Sequence, residues 1–238
     1  MEKTENQKYD LFYLKENGKV NVKESFKFIM SEAKETFSKF NKPVVGDVGC
    51  AVGDLLSYIG TLYPDAELNG LDVQPELLAK AKQDIPSLKT HLFDITKGDK
   101  SLGKKFDALF MCGVHGAFED PKDWVPNFIS LLKDTGTGFV YGNFNPDPID
   151  VIMKVRPSGS TGGYISNWNM VSQQTMKTLL NELGYMAEFK FFQINIDIPK
   201  REEDTLRSWT FKYEDGSRGT INGTQLLHQN FLLKFRKK

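Results

Sequence analysis

The stretch Val44–Leu56, reading Val-Val-Gly-Asp-Val-Gly-Cys-Ala-Val-Gly-Asp-Leu-Leu, constrains this chain more than any other. It opens as an apolar run of strand character and closes as the start of a helix, with a turn of small residues from Gly49 to Gly53 between them. Such a turn lets a ligand approach the backbone and turns free N–H groups at a helix start toward it, which makes a cofactor cradle. The glycine spacing narrows the kind of cofactor. A dinucleotide cradle needs G-x-G-x-x-G, with glycines where a pyrophosphate touches the backbone. Here the spacing is Gly49-x-x-x-Gly53, preceded by Asp47. A carboxylate aimed into the cradle repels a pyrophosphate and pairs with an ammonium group, so the expected ligand carries positive charge at that end.

The remaining pattern is an α/β alternation. Phe26, Ile29, Met30, Ala33, Phe37 and Phe40 fall at helical spacing between Lys23 and Phe40, giving one apolar face to cover a sheet. After the first strand, a helix from about Asp54 to Leu62 is stopped by Pro64. Ala66–Val73 reads as a second strand, and Pro75 opens a helix that ends at Ile85-Pro86. Leu88–Phe93 and Phe106–Met111 supply two more strands, Trp124 to Leu132 an apolar helix stripe, and Gly138–Phe144 a fifth strand. Strands joined by helical crossovers predict a parallel sheet covered on both faces, with ligands at the carboxyl ends of its strands.

Beyond Asn145 the rhythm breaks. Residues 145–169 carry three prolines and a Ser158–Gly163 run, too flexible a composition for a core element and suited to an insertion over a cleft. A helix capped by Ser172 and closed by Gly184 follows. Then come strands over Ala187–Ile198 and Gln225–Phe235, with a hairpin from Trp209–Tyr213 and Arg218–Ile221 between them.

The Asp47–Gly53 segment is similar to motif I of the class I S-adenosylmethionine-dependent methyltransferases, (D/E)-x-G-x-G-x-G, with Ala51 in place of the middle glycine. Alanine fits there if its φ is negative or the turn is slightly opened. The resemblance implies an α/β, Rossmann-like three-layer sandwich whose seven-stranded, mostly parallel sheet ends in an antiparallel strand. It implies one domain over residues 1–238. Residues 1–22 would form an N-terminal arm or lid carrying Tyr9, Phe12 and Tyr13, with insertions at 145–169 and 199–224 over the cleft. The implied cofactor is S-adenosylmethionine, released as S-adenosylhomocysteine.

On that resemblance, Asp47, Gly49, Cys50, Ala51 and Gly53 hold the amino acid end. Asp72, followed by Val73, ends the second strand, where a carboxylate can accept two hydrogen bonds from a ribose diol. Asp94 and Ile95 meet the adenine, with Phe93 close to the ring. Met111, Cys112 and Gly113 lead from the fourth strand toward the acceptor. A carboxylate at any one strand end is also a common helix cap, but three in succession after a glycine turn are harder to assign to capping.

His115 follows, and it is the one histidine of three expected at that edge, because His91 and His228 fall within expected strands. Its ordinary pKa near 6.5 suits it to take a proton from an attacking hydroxyl; it serves equally as a pocket residue that only shapes the loop. Asn143, Tyr164 and Trp168, with Trp209, are candidates to line an acceptor pocket. Asn143-Phe144-Asn145-Pro146 is superficially like the motif of amino-methylating nucleic acid enzymes, but it follows the fifth strand and has Asp147 in place of a second proline, so it reads as a turn.

Thirty-one basic and thirty-one acidic side chains give a formal net charge of zero, which provides no overall field toward nucleic acid. The basic end Lys234, Arg236, Lys237 and Lys238 reads as a solvated terminus. There is no membrane-spanning apolar run, no secretory signal and no metal-binding cluster, and the two cysteines read as packing residues of a reducing compartment, which predicts a cytoplasmic protein. The expected acceptor is a small molecule, with a sugar, nucleotide-sugar or secondary metabolite suiting polar and aromatic loops, and the oligomeric state is open. The alternatives are a protein or RNA acceptor, or a non-catalytic cofactor-binding scaffold of the same fold, to which Ala51 points.

Overall fold

The computed structural model describes Leu14, residues 21–99, 101–103 and 105–238. The proposed lid residues Tyr9, Phe12 and Tyr13 lie outside them. In chain order the elements are α1 (Glu24–Phe37), β1 (Val44–Val48), α2 (Asp54–Leu62), β2 (Glu67–Asp72), α3 (Pro75–Asp84), β3 (Lys89–Leu92) and β4 (Phe106–Cys112), then α4 (Val125–Leu131) and β5 (Leu132–Asn143). The insertion strands β6 (Lys154–Val155) and β7 (Ile165–Ser166) precede α5 (Gln173–Glu182), β8 (Tyr185–Phe191), β9 (Trp209–Lys212), β10 (Arg218–Ile221) and β11 (Asn230–Lys237).

Seven strands form one sheet in the order β3-β2-β1-β4-β5-β11-β8. The first five run parallel, while β11 lies antiparallel to both of its neighbours, pairing Leu233 with Val140 on one side and with Phe189 on the other. The order reverses beside β1, so the cleft at the carboxyl ends of β1 and β4 is the place where this topology accepts a ligand.

Period-two burial separates the two cores. In β4, Ala108 and Phe110 pack with α1, α2 and α3, whereas Leu109 and Met111 pack with α4 and α5. Phe110 stacks on Phe139 with ring centroids 4.9 Å apart. The apolar face of α1 is buried as its spacing predicts, through Phe26, Ile29, Met30, Ala33 and Phe37. Helix α5 starts on Ser172, whose Oγ accepts from Thr175 N at 3.0 Å, and stops before Gly184 at φ +85°.

Several boundaries differ from expectation. The strand expected over Ala187–Ile198 ends at Phe191, and the last strand runs over Asn230–Lys237 instead of Gln225–Phe235. Its start is set by pairing with β5, which requires Asn230 opposite Asn143. Nor is the 145–169 insertion a bare loop. Buried Asn169 anchors it, accepting from Met153 N and donating to Phe118 O and Ser166 Oγ, while β6 and β7 pair antiparallel. Asn145 makes the expected turn by accepting from Asp147 N at 3.1 Å. The hairpin β9–β10 forms as expected. The basic C-terminal residues are not simply solvated: Lys234 lies between Glu35 and Glu188, Lys237 pairs with Asp134, and Lys238 donates to Asn181. No helix among the described residues is long and apolar enough to cross a membrane.

Candidate functional site

The turn between β1 and α2 is tied to the end of β2. Gly49 N and Cys50 N both donate to Leu71 O, at 2.7 and 3.2 Å. Gly49 has φ +71°, and a side chain there would collide with Val114. Ala51 also lies in the left-handed region, at φ +48°, so the expected negative φ is not what this turn uses. The conformation costs an alanine about 1 kcal/mol or more, and the offset is visible: Ala51 N donates to Asp72 Oδ2 at 2.9 Å. Asp72 Oδ1 accepts from Gln74 N at 2.9 Å, so one carboxylate holds both the turn and the start of α3.

Behind this turn lies a cavity of about 330 Å³. Its lining includes Asp47, Gly49, Cys50 and Ala51 from the cradle, Asp72 and Val73 from the end of β2, Asp94 and Ile95 after β3, and Cys112 and Gly113 at the end of β4. Asp47 is almost fully buried and its Oδ1 has no partner. Burial, and then the charge of Asp72, push its carboxyl up to about 8. Burial likewise raises Asp72, against the hydrogen bonds it accepts from Gln74, Ala51 and Val73. Asp94 is different. Burial works to raise it, but hydrogen bonds from Lys97 and Thr96 outweigh burial and hold it below the usual carboxylate range. Its Oδ1 accepts from Thr96 N, closing a turn where no helix follows, beside its place in the cavity wall. Burial raises both the Cys50 and Cys112 thiols.

A second cavity of about 350 Å³ shares Lys23, Phe26, Cys112 and Gly113 with the first. His115, Asn143 and Trp168 line it. His115 is buried, with its ring stacked 4.3 Å from that of Phe144. Its Nε2 lies 3.1 Å from Asn143 O. A carbonyl only accepts, so Nε2 carries the hydrogen and Nδ1 holds the lone pair. That Nδ1 has no partner. Burial lowers the imidazole to about 4, against the bond to Asn143, so it is neutral at physiological pH.

Three expected residues stand elsewhere. Gly53 does not line the cavity: at φ +81° it starts α2, and a side chain there would press on Ile85. Met111 faces the α4–α5 core by strand alternation and is fully buried. Tyr164 is 63% exposed, under Arg156, and lines a third cavity between the insertions. Conversely, Lys23 and Phe118 line the first cavity without having been expected there, as does Phe26, which the helical spacing assigned to the sheet-covering face. His228 is the main omission. It precedes β11 instead of lying within it, and a bridge to Thr220 places it in the wall of the second cavity, buried and with Nε2 unpartnered. His91 does sit in β3, bonded to Asn69 Oδ1 at 3.1 Å. No cluster of three metal-ligating side chains occurs among the described residues.

The strand order, the glycine cradle and the acids at successive strand ends together define a class I S-adenosylmethionine-dependent methyltransferase fold. Residues 47–137 match a family described as "Methyltransferase domain". It is 31% identical over 74 residues to a protein of invertebrate iridescent virus 6 that bears the name methyltransferase 235L. That similarity covers 30% of this chain and 27% of the viral protein, so the chain spans about a quarter of the relative it matches. The sugar N-methyltransferase KedS8 from Streptoalloteichus superposes with a TM-score of 0.58 at 17% identity, over 97% of this chain and 93% of that one. The 1,6-didemethyltoxoflavin-N1-methyltransferase of Burkholderia thailandensis, solved with its substrate and S-adenosylhomocysteine, superposes at 0.53 and 11% identity, over 100% and 92%. At these identities the two structures establish the shared fold.

Proposed function

We propose that this chain transfers a methyl group from S-adenosylmethionine to an oxygen or nitrogen of a small molecule, with a sugar, nucleotide-sugar or secondary metabolite as the class of acceptor. The observation that carries this reading is the buried, unpartnered Asp47 Oδ1 in a glycine-floored cavity that shares lining residues with a second one. The lining fits the cofactor. Asp47 is the acid for its ammonium group, Gly49 leaves the backbone bare where a side chain would fill the cradle, and Asp72 stands ready for hydroxyls. Ile95, Phe93 and Val73 supply apolar walls for a flat ring. When bound, the cofactor supplies an electrophilic methyl group on a sulfonium whose leaving group is a neutral thioether.

The protein's own part is alignment and proton management. Cys112 and Gly113, shared by both cavities, form the passage between donor and acceptor. Orienting an acceptor along that passage is the larger contribution, because alignment of reacting atoms can replace several kcal/mol of barrier. His115 Nδ1 is the base in the acceptor cavity. With a pKa of about 4 it does not strip an alcohol in advance. It holds the hydroxyl hydrogen and receives the proton once the oxygen, in forming its new bond to carbon, has become acidic.

Small acceptors are favoured by the 350 Å³ volume and by relatives of the same fold whose names specify small-molecule substrates. The test is an acceptor screen scored by release of S-adenosylhomocysteine. Turnover is expected with small hydroxyl or amino compounds, reduced about 10²-fold or more by His115→Ala. Turnover only on protein or RNA, or on nothing in the screen, contradicts the reading.

A further inference from the structure

We propose that the second cavity selects a neutral hydroxyl group, which accepts a hydrogen bond from Asn143 Nδ2 and donates one to His115 Nδ1. The methylation of that hydroxyl rests on the function proposed above; the selection itself does not.

The polarity of both protein atoms is fixed by neighbouring backbone. Asn143 Oδ1 accepts from Gln229 N at 2.9 Å, which assigns the amide orientation and leaves Nδ2 as the other end. Nδ2 is buried without a partner, so it is an unanswered donor. Asn143 O takes the His115 Nε2 hydrogen, so His115 Nδ1 is an unanswered acceptor. One residue thus supplies the donor and also sets the tautomer of the acceptor. A buried polar group without a partner costs about 1–3 kcal/mol, and a ligand that answers both groups recovers that cost. The third unanswered atom, His228 Nε2, lines the same cavity. Its ring faces Ser208 Oγ, which can give or take a hydrogen, so His228 leaves either polarity open to a second hydroxyl.

The complementary group must offer a lone pair and a hydrogen together. A hydroxyl does. An alkylammonium has no lone pair for Asn143, and the charged side chains of this wall are Lys23 and Arg207 against Asp204 alone. A carboxylate has no hydrogen for His115. Neutral hydroxyl compounds are therefore favoured over the amines and acids of the same shape.

The test is a titration of the full chain, isotope-labelled with ¹⁵N, at pH 7 with cyclohexanol, benzyl alcohol, cyclohexylamine and benzylamine as probes. The alcohols are expected to shift the Asn143 side-chain amide and the His115 Nδ1 resonances and to bind about tenfold or more tightly than their amines, the ratio expected from one lost hydrogen bond. Asn143→Asp keeps the acceptor for Gln229 N and replaces the donor by a carboxylate, so it should reverse the preference. Amines that bind as well as alcohols, or alcohols that leave both resonances unmoved, overturn the proposal on the unmutated protein alone. Calorimetry with S-adenosylmethionine on the same sample separates the two readings. Absent cofactor binding with intact alcohol selectivity sinks the methyltransferase reading, and the converse sinks only this one.

Discussion

Asp72, the last residue of β2, accepts the backbone N–H of Ala51 across the cradle at 2.9 Å. The acid that a cofactor's hydroxyls would meet is therefore also the group that holds a non-glycine residue in a left-handed turn. Binding chemistry and local strain share one carboxylate.

Substitutions at Ala51 follow from that arrangement. Glycine relieves the left-handed strain but loosens the unfolded chain, two effects of about 1 kcal/mol each and opposite sign. Ala51→Gly should leave thermal stability nearly unchanged. Ala51→Val adds a β-branch at positive φ and should lower the melting temperature by several degrees, at about 2–4 °C per kcal/mol for a domain of this size. Equal melting curves for all three proteins would show that the turn is not strained.

Asp47 should make cofactor binding depend on pH. Its carboxyl is protonated below about 8 in the free protein, and pairing with an ammonium requires the ionised form. Affinity should rise about tenfold per pH unit as pH approaches that value from below, one proton being released by the carboxyl on binding in that range. Calorimetry in buffers of differing ionisation heat counts that proton, and Asp47→Asn should abolish both the slope and the release. The raised carboxyl also costs the free protein stability, in the window from an ordinary carboxyl's 3.8 up through about 8 as pH rises.

His115 has the opposite sign. Its imidazole falls from 6.5 to about 4 on folding, so its contribution is complete above pH 6.5 and is lost as pH falls through 4. A shift of this size corresponds to roughly 3 kcal/mol. Acid unfolding followed by circular dichroism should show that loss, and His115→Gln, which does not titrate, should flatten the profile between those limits.

Gly142 packs directly on the His115 ring, where a β-carbon would collide with Cε1. Gly142→Ala should displace the imidazole and lower methyl transfer while leaving cofactor affinity unchanged, because Gly142 lines only the acceptor cavity. Parallel weakening of cofactor binding would show that the two cavities are not separable.

The sequence made much of the sheet legible, because each parallel strand is an apolar run followed by turn chemistry and then helical spacing. Asp47 and Asp72 were legible for the same reason, as acids at strand ends beside a glycine turn. What escaped was set by long-range register. Met111 looks like a cleft residue until the alternation of β4 with Phe110 turns it to the other face. His228 reads as a strand residue until the pairing of Asn230 with Asn143 starts β11 after it. The 145–169 insertion has the composition of a flexible loop, yet one buried side chain, Asn169, holds three of its contacts.

The central claim is that the cavity around Asp47 and Asp72 is a S-adenosylmethionine site. Calorimetric titration of the folded protein with S-adenosylmethionine tests it most directly. The account predicts saturable binding at one site, weakened by Asp47→Ala and by Asp72→Ala. Absence of binding by the folded protein, or binding that neither substitution weakens, would contradict it.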